Sequence, residues 1–420
     1  MSRQRPIAVA LAVLCLCLLA GVVGGVGTGI DSPSAPSTSG TAADAGRAAG
    51  SNDTGIGAGP LNDTHLAVTN ITTRLDLPGD GSVREGIATP EPRLGTAVAV
   101  DDTELRARFG RYTVEERFET ARTTPERRRI IGAELDRVAA DAETIATEER
   151  AAVGRYVDGT TDHDDLARAL GLTAAEADAR RVRLDALRAG ISTATPRART
   201  RLEALDTQLA VFGDPVRDRV VEAVDGTIEP PTVRITASDA GTVLGTIGTR
   251  YRREAVRFNY RNGGEPQLET TLDADSRARA VYPWIGATPD AQITSVEGFP
   301  DAGLFRVTVV HPQGAVVTHL DSATTNPFRE SQSLRLSDLP RRSAGTATNG
   351  SLRLAVDRTY PDGPVRVTVT EAGTGEPVQA TISVDGRTVG SGTGWVLPPG
   401  GTYRVTATTV TESVSVRVDE

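Results

Sequence analysis

Apolar residues change their spacing along this chain, and each change marks a new kind of element. Ile131, Leu135, Val138, Ala142 and Ile145 recur in steps of four and three, which puts them on one face of a helix. Thr124-Pro125-Glu126 supplies a helix start for that run: a capping residue, a proline at the first position and an early acid. Glu149 interrupts the seam before Ala152 and Tyr156. Thr173-Ala174-Ala175-Glu176 reads as a capping box opening the next helix, with Val182, Ala186, Leu187 and Ile191 inward. Pro196 begins another helix with Leu202, Leu205, Leu209 and Phe212, and Asp214-Pro215 begins a last one with Val216, Val220 and Val221. Charged residues fill the remaining faces, so residues 96–228 are expected to form an antiparallel bundle of three to five helices.

After Glu229 the period shortens to two. "PTVRITA", "LFRVTVVHPQGAVVTHLD" and "SQSLRLSDL" alternate apolar and polar residues, and Pro312-Gln313-Gly314 supplies a hairpin turn. "LDADSRARAVYPWIG" adds one short helix, so 229–345 is expected to be a small α+β or mostly β domain. Alternation is clearest in 350–420, where Val365/Val367/Val369, Ala380/Ile382/Val384, Tyr403/Val405/Ala407 and Val414/Val416/Val418 each present one face. That is the pattern of a β-sandwich. The stretch Thr374-Gly375-Glu376-Pro377-Val378, followed by Ile382-Ser383-Val384-Asp385-Gly386, resembles the carboxypeptidase-regulatory-like, or transthyretin-like, family. The resemblance implies an accessory sandwich and carries no catalytic residue.

The N-terminus has a different texture. Arg3 and Arg5 precede an uncharged run from Pro6 to Ile30, the layout of an export signal that is also long enough to span a bilayer. Residues 1–30 are therefore read as a signal peptide or transmembrane anchor, with the C-terminal bulk outside the membrane in either case. Cys15 and Cys17 are the only cysteines, and leucines (Leu14 and Leu16) precede them, where lipid attachment needs a small residue. The exported part consequently works without thiols or disulfides. Residues 31–95 follow as a Ser-, Thr- and Gly-rich tether too polar to order itself. It carries N-glycosylation sequons at Asn52, Asn62 and Asn70, and a fourth, Asn349, falls between the two β regions. The fold class expected overall is multi-domain α and β: signal or anchor helix, helical bundle, α+β or mostly β domain, and terminal sandwich.

Charge narrows the function classes. There are 46 basic and 55 acidic residues, a formal net charge of −9, and every basic side chain is arginine. Such a chain resembles uncharacterised exported or membrane-anchored surface proteins of haloarchaea. The acidic balance argues against nucleic acid as a partner. "DDLARALGLTAAEADARRVRLDALR" has the outline of a helix-turn-helix with Arg180, Arg181 and Arg183 toward phosphate, but it also carries Glu176, Asp178 and Asp185 and reads better as a capped helical hairpin. The acids Asp158, Asp162, Asp164 and Asp165 around His163 lack the glycine and glutamate of a calcium loop, and Asp162 as a helix cap accounts for them. No metal or cofactor is expected.

His311, His319 and Asp321 share one hairpin. With Tyr282 and Trp284 they are the residues an exported hydrolase or metal-dependent enzyme would draw on within 230–343, if they converged. No H-E-x-x-H, G-x-S-x-G or phosphate loop supports that alternative. The expectation is a non-enzymatic envelope protein for adhesion, scaffolding or accessory support. It would meet the membrane through its N-terminal segment, and its partner would be another surface protein or a glycan.

Overall fold

The computed structural model describes residues 74–77, 83–261 and 263–419. The 1–30 segment with both cysteines, and the sequons at Asn52, Asn62 and Asn70, lie outside the described residues. Among those described, no helix is long and apolar enough to cross a membrane.

A strand, β1 (Arg84–Ala88), comes first, inside the stretch expected to be tether. It pairs antiparallel with β2 (Val233–Ser238) as an edge strand, and five residues of mixed character gave no period to read. Five helices follow β1: α1 (Leu94–Thr120), α2 (Thr124–Val157), α3 (His163–Ala189), α4 (Pro196–Ala210) and α5 (Pro215–Val224). Ile131, Leu135, Val138, Ala142 and Ile145 are all buried, as their spacing predicts. The cap of α2 sits one residue earlier than expected. The Thr123 hydroxyl accepts from the Glu126 amide, and the Glu126 carboxylate accepts from the Thr123 amide.

The expected break at Gly171-Leu172-Thr173 does not occur. Helix α3 runs through it, and the Thr173 hydroxyl donates to the Leu170 carbonyl instead of capping a new helix. A glycine inside a helix costs about 1 kcal/mol relative to alanine. Here it admits α5: a Cβ on Gly171 would lie 3.0 Å from a Val220 methyl carbon. Buried Leu166, Leu170, Ala174, Ala177, Leu184 and Leu187 make one continuous stripe across the join.

The next segment completes a sheet with β3 (Gly241–Ile247), β4 (Tyr251–Arg257), α6 (Thr271–Val281), α7 (Trp284–Ala287), β5 (Gln292–Phe299), β6 (Leu304–His311), β7 (Gly314–Asp321) and β8 (Pro327–Leu334). Eight antiparallel strands run in the order β1-β2-β3-β4-β8-β7-β6-β5. One face of the β1–β4 half packs on the helices, where Val233, Ile235, Ala237 and Leu244 meet Ala152, Tyr156, Leu166, Leu170, Val216 and Val220. The opposite face of β6 and β7 is covered by α6 and α7 through Phe305, Val307, Val309 and Val316. On that same face the short stretch Arg74–Leu77 crosses β4 and β8. Leu75 is buried, its amide donates to Glu330 (3.0 Å), and its carbonyl accepts from Arg253 (2.7 Å).

The terminal sandwich has two four-stranded sheets. One contains β9 (Arg342–Asn349), β10 (Leu352–Arg358), β11 (Val365–Glu371) and β14 (Gly394–Val396). The other contains β12 (Thr381–Val384), β13 (Arg387–Ser391), β15 (Tyr403–Thr408) and β16 (Ser413–Val418). Every alternating position named from the sequence enters its core. It starts at Arg342, earlier than the alternation suggested, because β9 presents only small residues inward; a Cβ on Gly345 would lie 2.6 Å from Val416. Asn349 therefore sits at the exposed tip of the β9–β10 hairpin rather than between domains, and its side-chain amide donates to the Ser413 carbonyl (2.9 Å).

Candidate functional site

Charged side chains enter the layer between helices and sheet. Arg217 of α5 is fully buried and bridges Glu149 of α2 (2.6 Å) and Glu254 of β4 (2.7 Å). One strand away, Arg329 of β8 donates twice to Asp214, at 3.0 and 2.7 Å. Asp214 precedes α5 but makes no side-chain cap, because its carboxylate serves this pair. Burial pushes the Glu254 carboxyl up against the pull of the Arg217 cation, while its two carboxylates hold Arg217 firmly charged.

A cleft of about 650 Å³ opens beside this layer. Its walls come from α2 (Glu143, Thr147, Arg150), the end of α4 (Val211, Phe212), the chain leaving β4 (Arg257, Phe258, Arg261), the 300–303 turn and the β7–β8 connection (Asp321, Ser322, Phe328). Three guanidinium groups stack on rings there: Arg150 over Phe258 (5.8 Å), Arg257 over Tyr260 (3.9 Å) and Arg261 over Phe328 (5.1 Å). Among the described residues neither Arg150 nor Arg261 has a carboxylate oxygen within 4.0 Å, and Arg261 donates only to the Ala302 carbonyl (2.9 Å). Burial lowers the pKa of Arg261, Asp321 partly offsets this, and the like charge of Arg150 adds to it. Two cations, each over one phenyl ring and without a carboxylate partner among the described residues, can receive an acidic group. Asp321 is itself engaged, accepting from the Thr324 amide at 2.8 Å.

The five residues considered for an enzyme are divided by the sheet. His311 pairs across the hairpin with Gly314, so strand alternation sends it to the α6 face and His319 to the helical face. Tyr282, Trp284 and His311 form a chain of edge contacts, with centroids 6.1 and 5.3 Å apart. Tyr282 donates to buried Glu330 (2.6 Å). Of the five, only Asp321 lines the cleft. Burial lowers the pKa of His311 to about 4 and of His319 to about 3.

Most of the remaining sequence candidates have structural partners, while the Asp158 side chain is exposed. Asp162 caps α3 by accepting from the Asp165 amide (2.7 Å), Asp164 accepts from the Thr89 amide (2.7 Å), and His163 meets the Tyr156 hydroxyl (2.7 Å). Arg180 pairs with Asp141 of α2, and Arg181 with Asp206 of α4. The nearest carboxylate oxygen to Arg183 is that of Glu134, at 4.0 Å. Those arginines tie helices together, and the turn a helix-turn-helix needs is absent from α3. No cluster of three potential metal ligands occurs among the described residues.

Sequence reasoning did not reach the arginines of the cleft. Arg150, Arg257 and Arg261 look like ordinary solvated positions until the fold places aromatic rings beneath them. The one available signal was Glu149, an acid in an otherwise apolar seam.

Comparison with known families divides the chain along the same lines. Residues 1–229 match the model described as a domain of unknown function (DUF7096), 233–340 a family of unknown function (DUF7094), and 343–416 an archaeal fibronectin-III type-like domain. No curated protein and no solved structure matches. With more than half of its length under the first of these models, the chain belongs to the DUF7096 family and ends in a β-sandwich of archaeal type.

Proposed function

We propose that this chain is a non-enzymatic protein of an archaeal cell envelope, held on or released to the outer face, where it acts in adhesion, scaffolding or accessory support of another surface protein. The observation that carries the reading is the clamp between the terminal sandwich and the sheet. Tyr360 meets Tyr251 edge-on at 6.4 Å, and Asp362 receives both Arg234 and Arg74. A sandwich fixed against a helix-and-sheet body suits presentation of a surface at a set angle. Supporting it, the body is cross-braced by guanidinium–carboxylate pairs and holds no sulfur bridge, in keeping with cysteines confined to residues 15 and 17.

In this reading the source is a salt-adapted haloarchaeon, the 1–30 segment directs export, and the sandwich serves as an accessory module of the kind its transthyretin-like turn suggests. Asn349, exposed at a hairpin tip, is accessible for glycosylation, and the cleft arginines receive an acidic group of the partner. Intact-mass and N-terminal analysis of the protein from membrane, culture and cytoplasmic fractions tests the proposal. It stands on a membrane-bound or secreted product. A full-length, unmodified protein found only in the cytoplasm would overturn it.

A further inference from the structure

Helix α1 has two apolar faces, and among the described residues only one of them is covered. Val100, Ala107 and Val114 are buried, separated by sevens, on the side that packs against α3. On the opposite side Leu94, Val98, Leu105, Phe109 and Tyr112 are between 51 and 83 % exposed. At about 100° per residue these five fall within a stripe about 60° wide, and they run along roughly 27 Å of helix. A row of this kind on the surface of a folded protein marks an interaction site.

The sequence around the stripe specifies what covers it. Val98, Leu105 and Tyr112 are spaced seven apart, symmetric about Leu105. Charges change sign across the same point: Asp101, Asp102 and Glu104 lie before Leu105, and Arg106, Arg108 and Arg111 after it. We propose that α1 is the interface of an antiparallel homodimer whose two-fold axis passes beside Leu105.

In that arrangement Leu105 meets its own copy, and Val98 meets Tyr112 of the second copy. Asp102 comes within about 3 Å along the axis of the second copy's Arg106 on one flank, and Glu104 likewise of its Arg108 on the other. The pairs each helix makes within itself, Asp102 with Arg106 (2.8 Å) and Glu104 with Arg108 (3.2 Å), thus extend across the seam. Apart from the Leu105 pair on the axis, each contact occurs twice, as an isologous interface requires. Equal numbers of acids and arginines flank the stripe, so it lacks the basic margin of a helix that lies on a membrane. Five turns of one helix give a small interface, so the dimer is concentration-dependent.

Cross-linking of the full chain, with Cys15→Ser and Cys17→Ser as background, tests the arrangement. Leu105→Cys should form a disulfide-linked dimer. Val98→Cys and Tyr112→Cys should each form no disulfide alone, because the two copies of either residue lie fourteen positions, about 21 Å, apart along the pair, and should cross-link when mixed. Arg106→Asp should weaken sedimentation dimerisation about tenfold, with rescue by adding Asp102→Arg. Cross-linking of Val98→Cys to itself would mean a parallel pair and sink the proposal. So would a monomeric Leu105→Cys variant whose introduced thiol is shielded from maleimide, which means that another part of the chain covers the stripe. A monomeric Leu105→Cys variant whose thiol is freely labelled would overturn it equally.

Discussion

Glu149 of α2 and Arg217 of α5 are joined by a buried 2.6 Å contact, and the same guanidinium holds Glu254 of the sheet. Helices and sheet are therefore coupled through one cation. Replacing Arg217 with methionine strands two buried carboxylates, which typically costs about 3–5 kcal/mol. A triple variant with Glu149→Gln and Glu254→Gln as well should recover much of that loss, since the uncompensated charges are gone. Denaturant unfolding of both variants checks this; a triple variant no more stable than the single one would contradict it.

Acid should weaken the fold through its two interior histidines. Burial lowers the pKa of His319 to about 3 and of His311 to about 4. In the unfolded chain both titrate near the ordinary value of about 6.5. Between those limits the unfolded state binds more protons, so stability is full above about pH 6.5 and falls as the pH drops toward 4. His319→Gln and His311→Gln should each flatten the slope of stability against pH in that window. Equilibrium unfolding between pH 4 and pH 7, at constant ionic strength, gives the comparison; an unchanged slope in the double variant would refute the assignment.

How much of this was legible depends on whether one face of an element stays wet. Val365, Val367 and Val369 alternate because their strand has one dry side, and all were readable. Strand β4, "YRREAVR", has Arg253, Glu254 and Arg257 buried, since helices cover one side of the sheet and Leu75 crosses the other. No hydrophobic period survives that arrangement. Helix α1 hid for a related reason: its two opposed stripes, Val100/Ala107/Val114 and Val98/Leu105/Tyr112, cancel as an amphipathic signal. The cleft was illegible because its arginines come from α2 and from the end of β4 and the chain just beyond it, more than a hundred residues apart in sequence.

Arg261 should be held at a cost to stability. Its charge is half-buried, faces Arg150, and has no carboxylate within 4.0 Å among the described residues. Arg261→Gln keeps a donor for the Ala302 carbonyl and removes a charge that burial disfavours more than Asp321 favours it, together with its repulsion from Arg150, so the free protein should melt at a higher temperature. A gain of about 1 kcal/mol is the scale expected for relieving a strained functional position. A lower melting temperature would show that Arg261 serves only to brace the 300–303 turn.

The sandwich clamp predicts how the protein comes apart. Asp362 has φ near 62°, a left-handed geometry that Asn shares readily, so Asp362→Asn changes charge without altering the turn. Arg234, only 6 % exposed, then loses its ion partner there and keeps the longer 3.4 Å contact to Glu85. Because the Asp362 carboxylate is 41 % exposed, the loss should be about 1–2 kcal/mol, less than for a fully buried pair. That energy belongs to the interface and not to the sandwich core, which is built from its own valines. Calorimetry should therefore resolve two transitions in the variant, the sandwich separating from the body, where the parent shows one. A single transition shifted downward as a whole would mean that Tyr251, Tyr360 and the apolar contacts around them hold the clamp without the ion pair.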